Sequence, residues 1–543
     1  MGVIVSFLFN QLLLYREMVT TAAIVLFTLL TTLALTWSWK ILKRLWLKPK
    51  KLEKLLREQG LKGNSYRFLV GDIKDIVKMG KEGTSKPMNL SDDIVPRVFS
   101  YFQQSVVKHG KNSFVWFGPT PRVIITDPEL IKDVFNKNDD FQKPNMNPLV
   151  TLLVNGLVHL EGEQWSKHRK IINPAFHFEK LKIMLPSFYK SCDDLIRKWE
   201  TMLLSNGSCE MDVWPFLQNL ASDVISRTAF GSSYEEGRRI FQLQIEQAEL
   251  TKTVMTNAYI PGWRFLPTPT HRRMKEIDRD VNASLTNMIN KREEALKAGE
   301  ATKDDFLSIL LESNHKEMEG HGNNKNVGMS LEDVIEECKL FYFAGQGTTS
   351  VLLVWTMVLL SRYPDWQTRA REEVIQVFGN NKPDFDGLTH LKIVTMILNE
   401  VLRLYPPVIE LARTVHKDIK LGNLTLPAGV QLFLSIISVH HDSELWGDDA
   451  KVFNPERFSE GVLKATNGRY SFFPFGGGPR ICIGQNFSMM EAKIAIAMIL
   501  QRFSFELSPT YTHAPATVIT LQPQHESAVI FAQSSNFSFH CHL

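Results

Sequence analysis

Cysteine is scarce and scattered: Cys192, Cys209, Cys338, Cys482 and Cys541 are all that 543 residues contain. That is no disulfide framework, and it fits a reducing compartment. Charge of one sign is lacking too. Lys and Arg total 62 against 58 Asp and Glu, a formal net charge of +4, and no long basic run interleaved with aromatics points to nucleic acid. No internal repeat recurs, which removes solenoids. His315 and His321 belong to a polar, glycine-containing stretch, Ser313–Gly328, that reads as a mobile loop with no recurring ligand spacing. At the end of the chain, His540, Cys541 and His542 stand side by side, too close to share one tetrahedral ion comfortably. Residues 531–543 read as a tail.

What the chain does have is one long apolar run near its start. From Met18 to about Trp39 there is no charged residue, and roughly 20 apolar residues suffice to span a bilayer as a helix. The run is too long for a cleaved signal and lacks a clean small-x-small site. Lys40, Lys43, Arg44, Lys48, Lys50 and Lys51 crowd its C-terminal side, against Arg16 before it. The positive-inside rule therefore places the rest of the chain in the cytosol. Residues 1–48 read as a membrane anchor with a basic stop-transfer, and Pro49 is expected to break the helix before the globular domain. The basic, amphipathic segment Lys51–Gly60 is expected at the membrane surface.

Chemistry concentrates late in the chain. Phe473-Pro474-Phe475-Gly476-Gly477-Gly478-Pro479-Arg480-Ile481-Cys482-Ile483-Gly484 cannot be a helix or a central strand and must make a tight, irregular loop. Gln485–Gln501 reads as a helix with apolar positions on most faces, hence buried. Cys482 thus sits where a glycine-rich loop enters a helix N-terminus, a place expected to lower a thiol pKa. Small neighbours would let a large flat ligand approach the sulfur.

Upstream, Trp165 and Arg169 are four apart on a helical segment, so indole and guanidinium project together, a pair suited to a carboxylate. Ser330 starts a largely apolar helix that runs to about Leu360. In its middle lies Ala344-Gly345-Gln346-Gly347-Thr348-Thr349. Each glycine costs about 1 kcal/mol in a helix relative to alanine, which implies a reason such as a flat cofactor against the backbone. Glu400 and Arg403, three apart among apolar neighbours, form a buried ion pair that needs a third partner. Arg457 can supply it.

The spacing Phe475-x-x-Gly478-x-Arg480-x-Cys482-x-Gly484 resembles the haem-binding loop of the cytochromes P450. Lys48–Glu53, Arg169–Phe176 and Leu402–Pro407 look like family 72, subfamily A, of the plant members. The resemblance implies a mainly α fold with small β-sheets, the catalytic domain spanning residues 49–530 behind the N-terminal transmembrane helix. Cys482 would be the metal ligand, its thiolate bonded to the iron of b-type haem. Trp165, Arg169, Arg413 and Arg480 would hold haem propionates, with Phe475, Gly478 and Gly484 shaping the loop. Glu400, Arg403 and Arg457 would lock the core behind the haem. Thr348 and Thr349 would organise the water that brings protons to dioxygen. Gly347 stands where the family usually has an acidic residue, which puts the carboxylate half of that relay in question. An apolar substrate pocket is expected near Leu149, Leu152, Phe341, Ala344, Val408, Ile409 and Ile519.

The implied activity is insertion of one oxygen atom of dioxygen into an unactivated C–H bond. The electrons would come from NADPH through the cytochrome P450 reductase of the same endoplasmic reticulum membrane. The subfamily acts on terpenoids, and an oleanane-type triterpenoid is the expected substrate, with gibberellins and secoiridoids as alternatives. Two other classes stay open on the residues: a haem-thiolate isomerase or dehydratase needing no dioxygen, and a non-catalytic membrane protein that holds haem or lipid.

Overall fold

The helix expected around Thr348 runs Leu331–Arg362, about 48 Å at 1.5 Å per residue. Its start is a capping box. Asp333 N–H donates to Ser330 Oγ at 3.1 Å, and Ser330 N–H donates to the Asp333 carboxylate at 2.9 Å, pairing two donors that the first turn leaves free. Every side chain from Thr349 to Ser361 is buried. A helix apolar on all faces is either a membrane span or a core. This one is core, since 72% of its most apolar window lies inside the protein. The computed structural model that shows this describes residues 2–203, 208–231, 234–257, 266–299, 305–320 and 328–533.

A mixed six-stranded sheet flanks these helices. Its strands run, in order, Lys62–Gly63, Ser113–Phe117, Thr120–Ile125, Gln431–Ser435, Glu410–Val415 and Phe141–Gln142. Ser113–Phe117 and Thr120–Ile125 pair as a hairpin, and a helix follows it. Asp127 caps Pro128–Asn136 by accepting the N–H groups of Glu129 and Leu130, as its short carboxylate allows. The sheet brings Arg413 opposite Leu432. A separate antiparallel hairpin, Pro515–Val518 with Thr520–Pro523, turns on the single residue Ile519.

The N-terminus corrects two expectations. Gly2–Leu42 is one helix with no buried residue, but Pro49 does not end it. A π-helical turn, Lys43–Leu47, leads straight into a further helix, Lys48–Glu58. Proline is tolerated in a first turn, and the wider π turn relieves its clash with the preceding carbonyls. The carbonyl four residues back, Leu45 O, cannot be paired by a proline; it accepts the Tyr66 hydroxyl at 2.7 Å instead. Nor is the apolar face of the next helix left for lipid. Leu52 and Leu56 pack with Tyr66, Phe114, Trp116 and Val123, so that helix docks on the catalytic domain.

Two loop assignments also change. Part of the polar stretch expected as a loop is helix, Phe306–Glu319, which includes His315; His321 and residues 321–327 lie outside the described residues. The strand Ala528–Gln533 pairs with Phe503–Leu507, setting a buried Phe531 opposite Phe505. The folded part therefore reaches three residues into the expected tail, and residues 534–543 lie outside the described residues. Buried aromatic area at Phe531 outweighs the polar composition that follows it.

Glu400 and Arg403 are completely buried. Arg403 makes two parallel bonds to the carboxylate, Nε–Oε2 at 2.8 Å and Nη2–Oε1 at 2.7 Å. It also donates to the carbonyls of His440, at 2.7 Å, and Ala450. Arg457 Nε donates to Glu400 Oε1 at 3.2 Å and Asn454 N–H at 2.9 Å. Asp449 then balances Arg457 at 2.9 Å. A buried pair is sustained only when each remaining donor and lone pair is matched, and here the set is matched. His440, reached through its carbonyl, accepts the Phe473 N–H on its ring at 3.2 Å. Burial, reinforced by Arg403, pushes its pKa well down and keeps it neutral, so it can accept. The ion pair is thereby tied to the start of the cysteine loop. Glu400→Ala leaves the buried Arg403 guanidinium without a carboxylate and Arg457 with Asp449 alone, and should cost about 3–5 kcal/mol. Denaturant unfolding measures this, and a loss under about 1 kcal/mol would show the network to be dispensable.

Candidate active site

The cysteine loop is held from three sides. Cys482 N–H donates to Phe475 O at 2.9 Å, closing the loop on itself. Gly478 has φ of +62°, and a Cβ there would sit 2.4 Å from Phe135 O, so no larger residue fits. Gly484 differs. A Cβ would meet only Cys482 Sγ at 3.9 Å and Phe176 at 4.0 Å, ordinary contacts that leave the side next to the sulfur open. On the third side, Arg169 Nη1 donates to Ile481 O at 3.0 Å, from the helix Gly162–Ile172.

The expected lowering of the thiol pKa is not what the surroundings produce. Cys482 is exposed by surface area, yet protein crowds it enough that desolvation pushes its thiol up; the Gly484 N–H and Arg169 pull the other way without prevailing. A bound metal would supply the missing stabilisation, since coordination deprotonates a thiol outright.

Around the loop the structure gathers cations. Arg480 stacks on the Trp165 ring with 4.5 Å to its centroid, pairs with Glu161 and donates to Leu160 O at 2.9 Å. Arg413 lies 5.8 Å from the Phe135 ring centroid and donates to Ala412 O at 2.8 Å. Burial first, then Arg480, lowers its pKa to about 10. Lys143, which carries no sequence signal, joins them. Burial, then repulsion from Arg480 and Arg413, drags its pKa down to about 7. Its ammonium meets the Val158 carbonyl. Three cations, Arg413 buried and Lys143 and Arg480 half-buried, thus face the Glu161 carboxylate, with Asp139 acting on Arg480 more weakly. Such an excess is costly unless an anion answers it. A flat dianion with two carboxylates, seated beside an accessible thiol, is what this donor set fits, and haem has that chemistry.

On the central helix, Thr348 Oγ1 donates to Ala344 O at 2.8 Å, the back-bonding that opens a helix groove. Thr349 Oγ1 donates instead to Ser488 Oγ at 3.2 Å, joining this helix to the one behind Cys482. Ser488 carried no sequence signal. The expected pocket residues divide. Leu521 N–H donates to Pro407 O at 3.0 Å, which ties the hairpin carrying Ile519 to the segment before Val408; Val408 packs on the cluster of the six-stranded sheet, Ile409 is buried in the central core and Ile519 is exposed. Ala344 packs at the edge of the core. Phe341 belongs to an aromatic cluster, 4.3 Å from Phe306 and 5.5 Å from Phe176. Leu149 and Leu152 form a satellite cluster with Val254 and Met274.

A family model described as Cytochrome P450 matches residues 90–526, which takes in the cysteine loop and the central helix. The chain belongs to the cytochrome P450 family. Among plant relatives, it is 64% identical over 511 residues to the Medicago truncatula protein named cytochrome P450 72A68, covering 94% of this chain and 98% of the relative. Over 497 residues it is 58% identical to the 11-oxo-beta-amyrin 30-oxidase of Glycyrrhiza uralensis, 91% and 95% covered. Over 510 residues it is 56% identical to the 7-deoxyloganic acid hydroxylase of Catharanthus roseus, 93% and 98% covered. This P450 is thus a plant monooxygenase of the 72A group, a haem enzyme fed electrons from NADPH through the P450 reductase.

The Lys143 pKa gives a pH test. A lysine near pKa 7 must take up a proton to answer haem carboxylates, so haem affinity should fall as pH rises above about 7. Haem transfer from the P450 to excess apomyoglobin should accelerate between pH 7 and pH 9, as roughly one proton's linkage dictates. Lys143→Met should flatten that slope. An unchanged slope in the variant would remove Lys143 from the haem site.

Proposed function

We propose that this P450 oxidises an unactivated C–H bond of an oleanane-type triterpenoid at the endoplasmic reticulum, as a single-pass protein with its catalytic domain in the cytosol. The observation that carries the substrate class is the 58% identity, over nearly the whole chain, to an enzyme named for oxidising 11-oxo-beta-amyrin. The orientation rests on the wholly exposed helix Gly2–Leu42 followed by Lys43, Arg44, Lys48, Lys50 and Lys51, a positive-inside signature.

In this reading Cys482 is the iron ligand. Trp165, Arg169, Arg413, Arg480 and Lys143 hold the propionate edge, the four cations supplying its counter-charge and Trp165 the face on which Arg480 stacks. Bound haem supplies dioxygen activation, helped by the electron push of a thiolate. The protein's own work is to bind, orient and gate protons. Thr348, its hydroxyl hydrogen committed to Ala344 O, can only accept from a water and so orients one at the groove. Thr349 is committed to Ser488 and fixes the helix over the cysteine loop. Ile519, Val408 and Ile409 present apolar surface to the substrate. Glu400, Arg403 and Arg457 keep the loop from shifting.

A second substrate class has its own support in the 56% identity to a 7-deoxyloganic acid hydroxylase. Yeast microsomes carrying this protein and a plant reductase should convert an oleanane triterpenoid to a product heavier by one oxygen, or to the acid, only when NADPH is present. Mass spectrometry reads the outcome. Turnover of 7-deoxyloganic acid alone would move the assignment to secoiridoids, and turnover without NADPH would replace monooxygenation by isomerisation or dehydration.

A further inference from the structure

Phe341, expected in a substrate pocket, lines a different and smaller space. Phe176, Phe306, Phe341 and Phe487, with Met184 and Ile225, close around a cavity in which the centre of a water-sized sphere has about 10 Å³ to move. Two such spheres a bond length apart fit, so the space admits one diatomic molecule and no terpenoid. The void exists because Ala175 and Ala229 stand among the rings, too small to fill what the aromatic side chains leave open. Neither Cys482, Thr348, Lys143, Arg413 nor Arg480 lines it, so it is separate from the seat of the haem.

Nothing in this cavity can hold water. Its surface is apolar throughout. The one polar side chain in its wall, Thr228, donates its hydroxyl to Val224 O at 2.6 Å, within its own helix. A buried water needs two to four polar partners; a cavity that offers none stays dry and takes apolar guests such as xenon. Of what the monooxygenation consumes, only dioxygen is both apolar and small enough to enter.

The walls also place the cavity beside the chemistry. Phe176 is half-buried and borders the sulfur: a Cβ at Gly484 would lie 4.0 Å from its ring and 3.9 Å from Cys482 Sγ. One ring is thus shared between the cavity and the open side of the thiol. Phe341 stands one turn before Ala344 on the central helix, whose carbonyl accepts from Thr348. Gly345, in that same turn, lets the wall residue Ile225 lie close, since a Cβ there would meet it at 2.9 Å.

We propose that this cavity is a holding site for dioxygen, with Phe176 as the wall between it and the open side of Cys482. A dry apolar space favours an apolar gas over water, so the co-substrate gathers next to the place where it is used. The binding rests on the walls alone; its use in turnover rests on the reading of Cys482 as the iron ligand given above.

The test uses the full-length, haem-loaded protein with its reductase in lipid nanodiscs, and xenon as the probe. Xenon NMR should show a bound atom in the wild type and none in Ala229→Leu, whose side chain fills the space. Xenon should raise the apparent KM for dioxygen roughly 4-fold, the worth of burying one methylene-sized group, and leave the KM for the terpenoid substrate unchanged. Ala229→Leu should raise the dioxygen KM similarly and no longer respond to xenon. Ala229→Val, a smaller filling, shows the same direction if the leucine variant does not fold. A wild type that binds no xenon, or binds it with the dioxygen KM unmoved, overturns the inference and leaves a packing void only. The two readings fail separately. A reduced carbon monoxide complex without the thiolate band overturns the Cys482 reading, and the cavity's use in turnover with it; a normal band with a dioxygen KM indifferent to xenon overturns this inference alone.

Discussion

A thiol with an open side, in a loop whose Arg480 belongs to a cluster of cations in excess of its carboxylates, is the constraint on which the molecule turns. Behind the larger effect of burial, Arg480 lowers the proton affinity of Arg413, and both lower that of Lys143; Glu161 answers only part of their charge. A protein accepts such an arrangement when a ligand pays the electrostatic debt. The same ligand must meet Cys482, where the protein crowded around an exposed thiol works against its ionisation. Anion and metal are thus wanted in one molecule.

Much of the remaining architecture holds that arrangement still. Glu400 and Arg403 reach the loop through His440 and Phe473. Arg169 reaches it through Ile481 O, and the central helix reaches the helix behind it through Thr349 and Ser488. Each link is a hydrogen bond between elements far apart in sequence. Loss of any one is felt at the sulfur as a change of position, which a metal site tolerates poorly.

Where the chemistry needs a residue type at a fixed local spacing, the sequence was readable. The cysteine loop, the Glu400–Arg403 pair and the capped start of the central helix each rest on short local spacings, whereas Trp165 and Arg169 take separate partners, Arg480 and Ile481 O. Lys143 and Ser488 were not readable, because each matters through a partner more than a hundred residues away, and a single Lys or Ser carries no periodic signal. The thiol pKa was misjudged for a related reason: local sequence shows the helix start but not the protein packed around it. Pro49 misled because a proline forbids one hydrogen bond, not a helix. The π turn and Tyr66 absorbed the cost. Leu149 and Leu152 were placed by apolar character alone, and that property sends them to a satellite cluster as readily as to a pocket.

The claim beneath all of this is that sulfur of Cys482 bonds the haem iron. The direct measurement is the carbon monoxide difference spectrum of the reduced protein, wild type beside Cys482→Ser. The account predicts the thiolate-type Soret band in the wild type and its loss in the variant, with haem still retained by the cation cluster. A thiolate band that survives in Cys482→Ser, or a folded, haem-loaded wild type that never shows one, would contradict it.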